Sequence, residues 1–189
     1  MSTLNIYDVC ELGRIDILEQ WKTDGTLPDL MDEDGSYSEW YPHEIAIRFG
    51  HLDLLKWLVN DSGQKVDLTV NNQRAIVNAA FFERPEILKW LVLESKQPVL
   101  VQIDSDDTDW YKSSHHDNPE ITSFLEAVNR LHLAGVSIER LQQAPEMVQL
   151  VESGRLSPEI VSQLTDSDIQ LATGAVATHA PRQSAKRRL

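Results

Sequence analysis

Ala46-Ile-Arg-Phe-Gly-His-Leu-Asp-Leu-Leu-Lys-Trp-Leu-Val59 and Ala79-Ala-Phe-Phe-Glu-Arg-Pro-Glu-Ile-Leu-Lys-Trp-Leu-Val92 are two versions of one stretch, 33 residues apart. The run Leu-Lys-Trp-Leu-Val recurs unchanged at 55–59 and 88–92. Self-similarity at a fixed period in this range marks stacked supersecondary units, none of which can bury its apolar face alone. Within each copy, Leu54, Leu55, Trp57 and Leu58, and then Ile87, Leu88, Trp90 and Leu91, repeat at helical spacing. Lys56 and Lys89 are assigned to solvent. Ala46, Ala79 and Ala80 on the preceding helix are small where a neighbouring helix has to pass close by. Gly50 turns the chain between the two helices. Glu83-Arg84 replace the Gly-His pair in the later copy, which predicts a differently closed turn there.

Upstream, Val9-Cys10-Glu11-Leu12-Gly13-Arg14-Ile15-Asp16-Ile17-Leu18 repeats the pattern with Gly13 against Gly50, an offset of 37. The four extra residues are assigned to Tyr37-Ser38-Glu39-Trp40, an insertion at a turn tip that disturbs no stacking contact. Pro42, Ala46, Gly50 and His51 sit where the ankyrin pattern T-P-L-H-x-A, followed by A-x-x-G-H, places Pro, Ala, Gly and His. The chain therefore resembles ankyrin-repeat proteins. The resemblance implies an all-α helix–turn–helix solenoid with three repeats starting near 4, 36 and 69 and ending near 100.

Downstream, Asn118-Pro119-Glu120-Ile121 echoes Arg84-Pro85-Glu86-Ile87, and Ser157-Pro158-Glu159-Ile160 opens a similar run. Such tripeptides are also ordinary helix starts: a cap, a proline needing no amide partner and an acid at the positive end of the dipole. Leu131-His132-Leu133-Ala134-Gly135-Val136 looks like the close of a repeat, in a register that conflicts with Pro119. Residues 101–172 are thus either degenerate repeats or a helical cap. The expected organisation is a solenoid over 1–172 and a disordered basic tail over 173–189.

The 189 residues carry a net charge of −13, although Arg182, Lys186, Arg187 and Arg188 crowd the C-terminal end. Such a body repels nucleic acid and anionic membranes and favours a basic protein partner. No window approaches the apolar length of a membrane span, and the N-terminus has no signal-peptide layout, which predicts a cytoplasmic protein. The single cysteine, Cys10, excludes an internal disulfide and is predicted to be a buried structural thiol.

A search for chemistry returns little. Asp104-Ser105-Asp106-Asp107-Thr108-Asp109 has the acid density of a calcium loop but lacks its turn glycine. His115 and His116 are adjacent and point in different directions on either a helix or a strand. There is no H-E-x-x-H, C-x-x-C, G-x-S-x-G or phosphate-binding glycine loop. No catalytic, cofactor or metal residue is assigned.

The ankyrin resemblance implies a non-enzymatic, monomeric protein-binding module that uses turn fingers and the exposed side of first helices. On that layout Tyr37, Glu39 and Trp40 fall on the first finger, and Asn71, Asn72, Gln73 and Arg74 on the second. Asp106, Asp107, Asp109, Trp110 and Tyr111 fall on the third, while Arg48, Phe49, Phe81 and Phe82 come from first helices. Aromatics among acids suit a basic, partly apolar partner. The Leu-Lys-Trp-Leu-Val copies and the Asn60–Leu68 stretch are similar to ankyrin proteins of intracellular bacteria, many of them effectors delivered to a host. An acidic inhibitor or immunity-type protein, and a small enzyme using the acidic loop with His115 and His116, are the alternative readings.

Overall fold

The computed structural model describes residues 4–31, 40–97, 99, 118–143, 145–153, 156 and 159–162. Three helix–turn–helix units lie in series: α1 (Ile6–Glu11) with α2 (Ile15–Asp24), α3 (Pro42–Phe49) with α4 (Leu52–Asn60), and α5 (Val70–Phe81) with α6 (Pro85–Leu93). First helices stack on first helices, α1 on α3 and α3 on α5. Ala46, Ala79 and Ala80 are fully buried in that contact. Leu54, Leu55, Trp57 and Leu58 of α4 are buried, as are Ile87, Leu88, Trp90 and Leu91 of α6. The 33-residue register therefore holds in three dimensions. Cys10 is also buried, and burial pushes its thiol up to about 12.

The turns follow one design. The amide of Gly50 bonds the carbonyl of Ile47 and that of His51 bonds Ala46; one repeat earlier, Gly13 bonds Cys10 and Arg14 bonds Val9. Glu83 bonds Ala80 and Arg84 bonds Ala79 in the same pattern, with Glu83 at φ 53° where Gly50 has φ 83°. The third turn thus does not close differently, contrary to the sequence expectation. The hydrogen-bond pattern overrides the side chain, and Glu83 is held in the left-handed region at a local cost.

Two other expectations are corrected. Asn71, Asn72, Gln73 and Arg74 lie within α5, so the second finger is shorter than expected; Gln73, at φ 65°, marks an irregularity in its first turns. Lys56 and Lys89 are half-buried rather than left to solvent. Lys89 donates to Glu120 at 2.7 Å, and this pair raises its pKa.

Beyond the third unit, α7 (Pro119–Leu133) and α8 (Ile138–Gln142) pack on α6, and α9 (Pro145–Glu152) packs on both. Asn118 caps α7 through its side-chain oxygen, and Gly135, at φ 83°, follows its end. The two conflicting register matches are therefore the two ends of a single 15-residue helix. Gln142 donates to the carbonyl of Val92 at 2.8 Å, satisfying an acceptor at the end of α6. Among the described residues, no helix is long and apolar enough to cross a membrane.

Candidate docking face

α3 carries Arg48 and Phe49 at its C-terminal end because its Schellman-type stop at Gly50 turns those two positions away from the core. α5 ends in the same way with Phe81 and Phe82. Trp40 sits just before the start of α3, half-buried and packed against the core, not on an outstretched loop tip. The stack thereby brings four of the sequence-predicted residues together: Trp40, Arg48, Arg74 and Phe81, with Phe49 and Phe82 beside them.

The geometry is that of a cation–aromatic cluster. The guanidinium carbon of Arg48 lies over the rings of Trp40, Phe49 and Phe82, at 5.5, 5.6 and 5.4 Å from their centroids. That of Arg74 lies 4.6 Å from the Trp40 centroid. Trp40 and Phe82 are 6.1 Å apart and tilted, and Phe81 meets Phe82 edge-on at 5.0 Å. Each such contact contributes on the order of 0.5–1 kcal/mol where water still reaches it. Phe49 and Phe81 remain 39% and 53% exposed, and Leu12, the equivalent of Phe49 one repeat earlier, is 58% exposed. An apolar row thus crosses all three repeats, with a guanidinium set into its centre.

Beneath the cluster, Glu44 is fully buried. Its Oε2 accepts from the Tyr41 amide at 2.9 Å, forming a capping box, and its Oε1 lies 3.9 Å from Arg74 Nε. His43 beside it is buried, stacks on Tyr41 at 5.5 Å and, among the described residues, finds no hydrogen-bond partner for either ring nitrogen. Burial lowers its pKa to about 4, against a smaller opposing pull from Asp67. Sequence reading missed Glu44 and His43; the available signal was an acid three residues after Tyr41, followed by an apolar run.

Tyr37, Glu39, Asp106, Asp107, Asp109, Trp110 and Tyr111 lie outside the described residues, as do His115, His116 and the 173–189 tail. Among the described residues, no group of three or more His, Cys, Asp or Glu side chains is arranged to hold a metal ion. A groove of about 380 Å³ between Lys65, Asp67, Thr69 and Gln97 offers few free groups. Thr69 occupies Asp67 Oδ1, and backbone groups occupy the Gln97 amide.

A protein-family model described as "Ankyrin repeats (many copies)" matches residues 43–92, from α3 to the end of α6. Comparisons with curated proteins and with solved structures find no match. The described residues form an all-α helix–turn–helix stack, residues 43–92 match ankyrin repeats, and repeats of this kind generally mediate protein–protein interaction.

Proposed function

We propose that this ankyrin-repeat stack is a non-enzymatic docking module that receives a protein partner on the row of first-helix ends. The observation that carries the reading is the pair Phe49 and Phe81. Phe49, 39% exposed, lies against the Arg48 guanidinium, and Phe81, 53% exposed, meets Phe82, which also faces it. Exposed apolar side chains this size, next to arginine and tryptophan, have the composition of interface centres. Over longer distances the net charge of −13 favours approach of a partner with a basic surface. Delivery as an effector, which the sequence resemblance to ankyrin proteins of intracellular bacteria implies, is a further part of this proposal. A translocation reporter fused to the chain tests that use.

The docking face itself is tested by affinity capture with wild type and with the double variant Phe49→Ser, Phe81→Ser. Both positions are exposed and each loses a ring contact, so the variant should fold with its melting temperature lowered by only a few degrees. Proteins retained by wild type should be lost from the variant. Recovery of the same proteins in equal amount on both would remove this face from consideration.

A further inference from the structure

We infer that the segment received by this face is acidic: a stretch with aspartate or glutamate next to bulky apolar side chains. The inference rests on the docking reading above and concerns what sits against Arg48. Three rings lie within 5.6 Å of its guanidinium carbon and hold it in place. Arg48 is nevertheless an exposed residue, and it makes no ion pair among the described residues. A guanidinium carries its N–H groups in a planar fork, the shape that a carboxylate matches in bidentate fashion.

The local charge points the same way. Arg74 lies 3.9 Å from Glu44, so the buried carboxylate beneath the row is engaged with Arg74, and no ion pair joins it to Arg48. Glu83 and Arg84, in the turn after Phe82, carry opposite signs. A basic segment would place like charge on Arg48. A purely apolar one would cover its N–H groups without giving them an acceptor, at the cost of an unsatisfied buried charge. A carboxylate between apolar side chains satisfies both the fork and its neighbours Phe49 and Phe81. Net charge and local charge act on different scales. The chain's −13 acts on an approaching partner out to a Debye length of about 8 Å, while Arg48 acts at contact.

The test is selection of a random twelve-residue peptide library on the full chain, with Arg48→Gln, Arg48→Lys and the Phe49→Ser, Phe81→Ser variant in parallel. Thermal melts verify that each variant is folded. Selected peptides should be enriched in Asp or Glu beside Phe, Trp or Leu. A synthetic peptide of the selected sequence should bind Arg48→Gln about 10-fold or more weakly, and Arg48→Lys should recover only part of the loss, because an ammonium lacks the planar fork. Selected peptides that are basic or uncharged, yet lost on the phenylalanine variant, would keep the docking face and overturn the acidic segment. Peptides retained equally by wild type and the phenylalanine variant, or no selection above background, would overturn both.

Discussion

Arg84 donates from Nε and Nη2 to the carbonyl oxygen of Arg48, at 3.2 and 3.1 Å, tying the second helix of one repeat to the end of the first helix of the repeat before it. His51 makes the equivalent contact one repeat earlier, with Nε2 2.8 Å from the carbonyl of Glu11. Both acceptors are end-of-helix carbonyls without an intrahelical partner. Arg84→Ala should therefore lower stability by about 1 kcal/mol, with the charged bond partly offset by exposure. Arg84→His should recover part of that, since histidine serves at the equivalent site. Urea melts of the two variants check the order; equal loss in both would mean that the contact is idle.

Glu83 at φ 53° and Lys96 at φ 58° occupy positions that Gly50 and Gly63 hold in the preceding repeat at φ 83° and 82°. Glycine is the residue suited to that backbone, whereas other L-residues carry a penalty of roughly 1–2 kcal/mol there. Glycine's greater freedom in the unfolded chain offsets part of the gain. Glu83→Gly and Lys96→Gly should each raise stability by about 0.5–1 kcal/mol, a rise of a few degrees in melting temperature. The reverse change, Gly50→Ala, should destabilise by more than that gain. The added Cβ would meet Arg84 Nε at 3.0 Å and disturb the staple as well.

Trp57 and Trp90 occupy equivalent buried positions in α4 and α6. Truncating either to alanine should cost about 3–5 kcal/mol. In a stack held by nearest neighbours, a loss of that size should broaden or split the unfolding transition, because the repeats on either side no longer melt together. Chemical melts followed by two probes check this. A neutral result at one site would break the equivalence of the two helices.

His43 gives the fold a pH dependence. Burial holds its folded pKa at about 4, below the usual 6.5, so the folded state binds this proton less readily than the unfolded chain. Its contribution is complete above pH 6.5 and declines as the pH falls toward 4, by about 3 kcal/mol in all. His43→Leu should flatten the stability profile between pH 6.5 and 4 while leaving carboxylate-driven loss at lower pH. An unchanged acid limb in melts of this variant would assign the dependence elsewhere.

The 33-residue spacing was enough to read the stack, because burial at helical period leaves its mark on neighbouring positions: the tryptophans, the alanines and the glycine turn all lie where the repeat places them. What escaped the reading acts between distant positions. In a recurring Ser-x-Gln, Ser62 and Ser95 bond their own helices at Leu58 and Leu91, while Gln64 and Gln97 find partners about one repeat away, so no local pattern announces the role of the glutamines. The third turn was misread because glycine was taken as a requirement, when backbone hydrogen bonds can impose the same geometry on Glu83. Arg74 was placed at a loop tip, yet α5 begins at Val70 without a strong cap. The meeting of Trp40, Arg48 and Arg74 depends on how first helices stack, and the sequence offers only the identities of the participants.

Gln64 donates to the carbonyl of Pro28 and accepts from the amide of Leu30, and Gln97 does the same for Val66 and Leu68. His51 and Arg84 likewise reach toward the N-terminal side, and Gln142 reaches back to Val92. These five side chains all complete a piece of backbone that was made before them. A chain emerging from the ribosome N-terminus first would hold each loop open until the following repeat arrives to close it. For these five contacts closure follows the order of synthesis, so a chain halted within the array would leave the latest loop without the side chain that completes it.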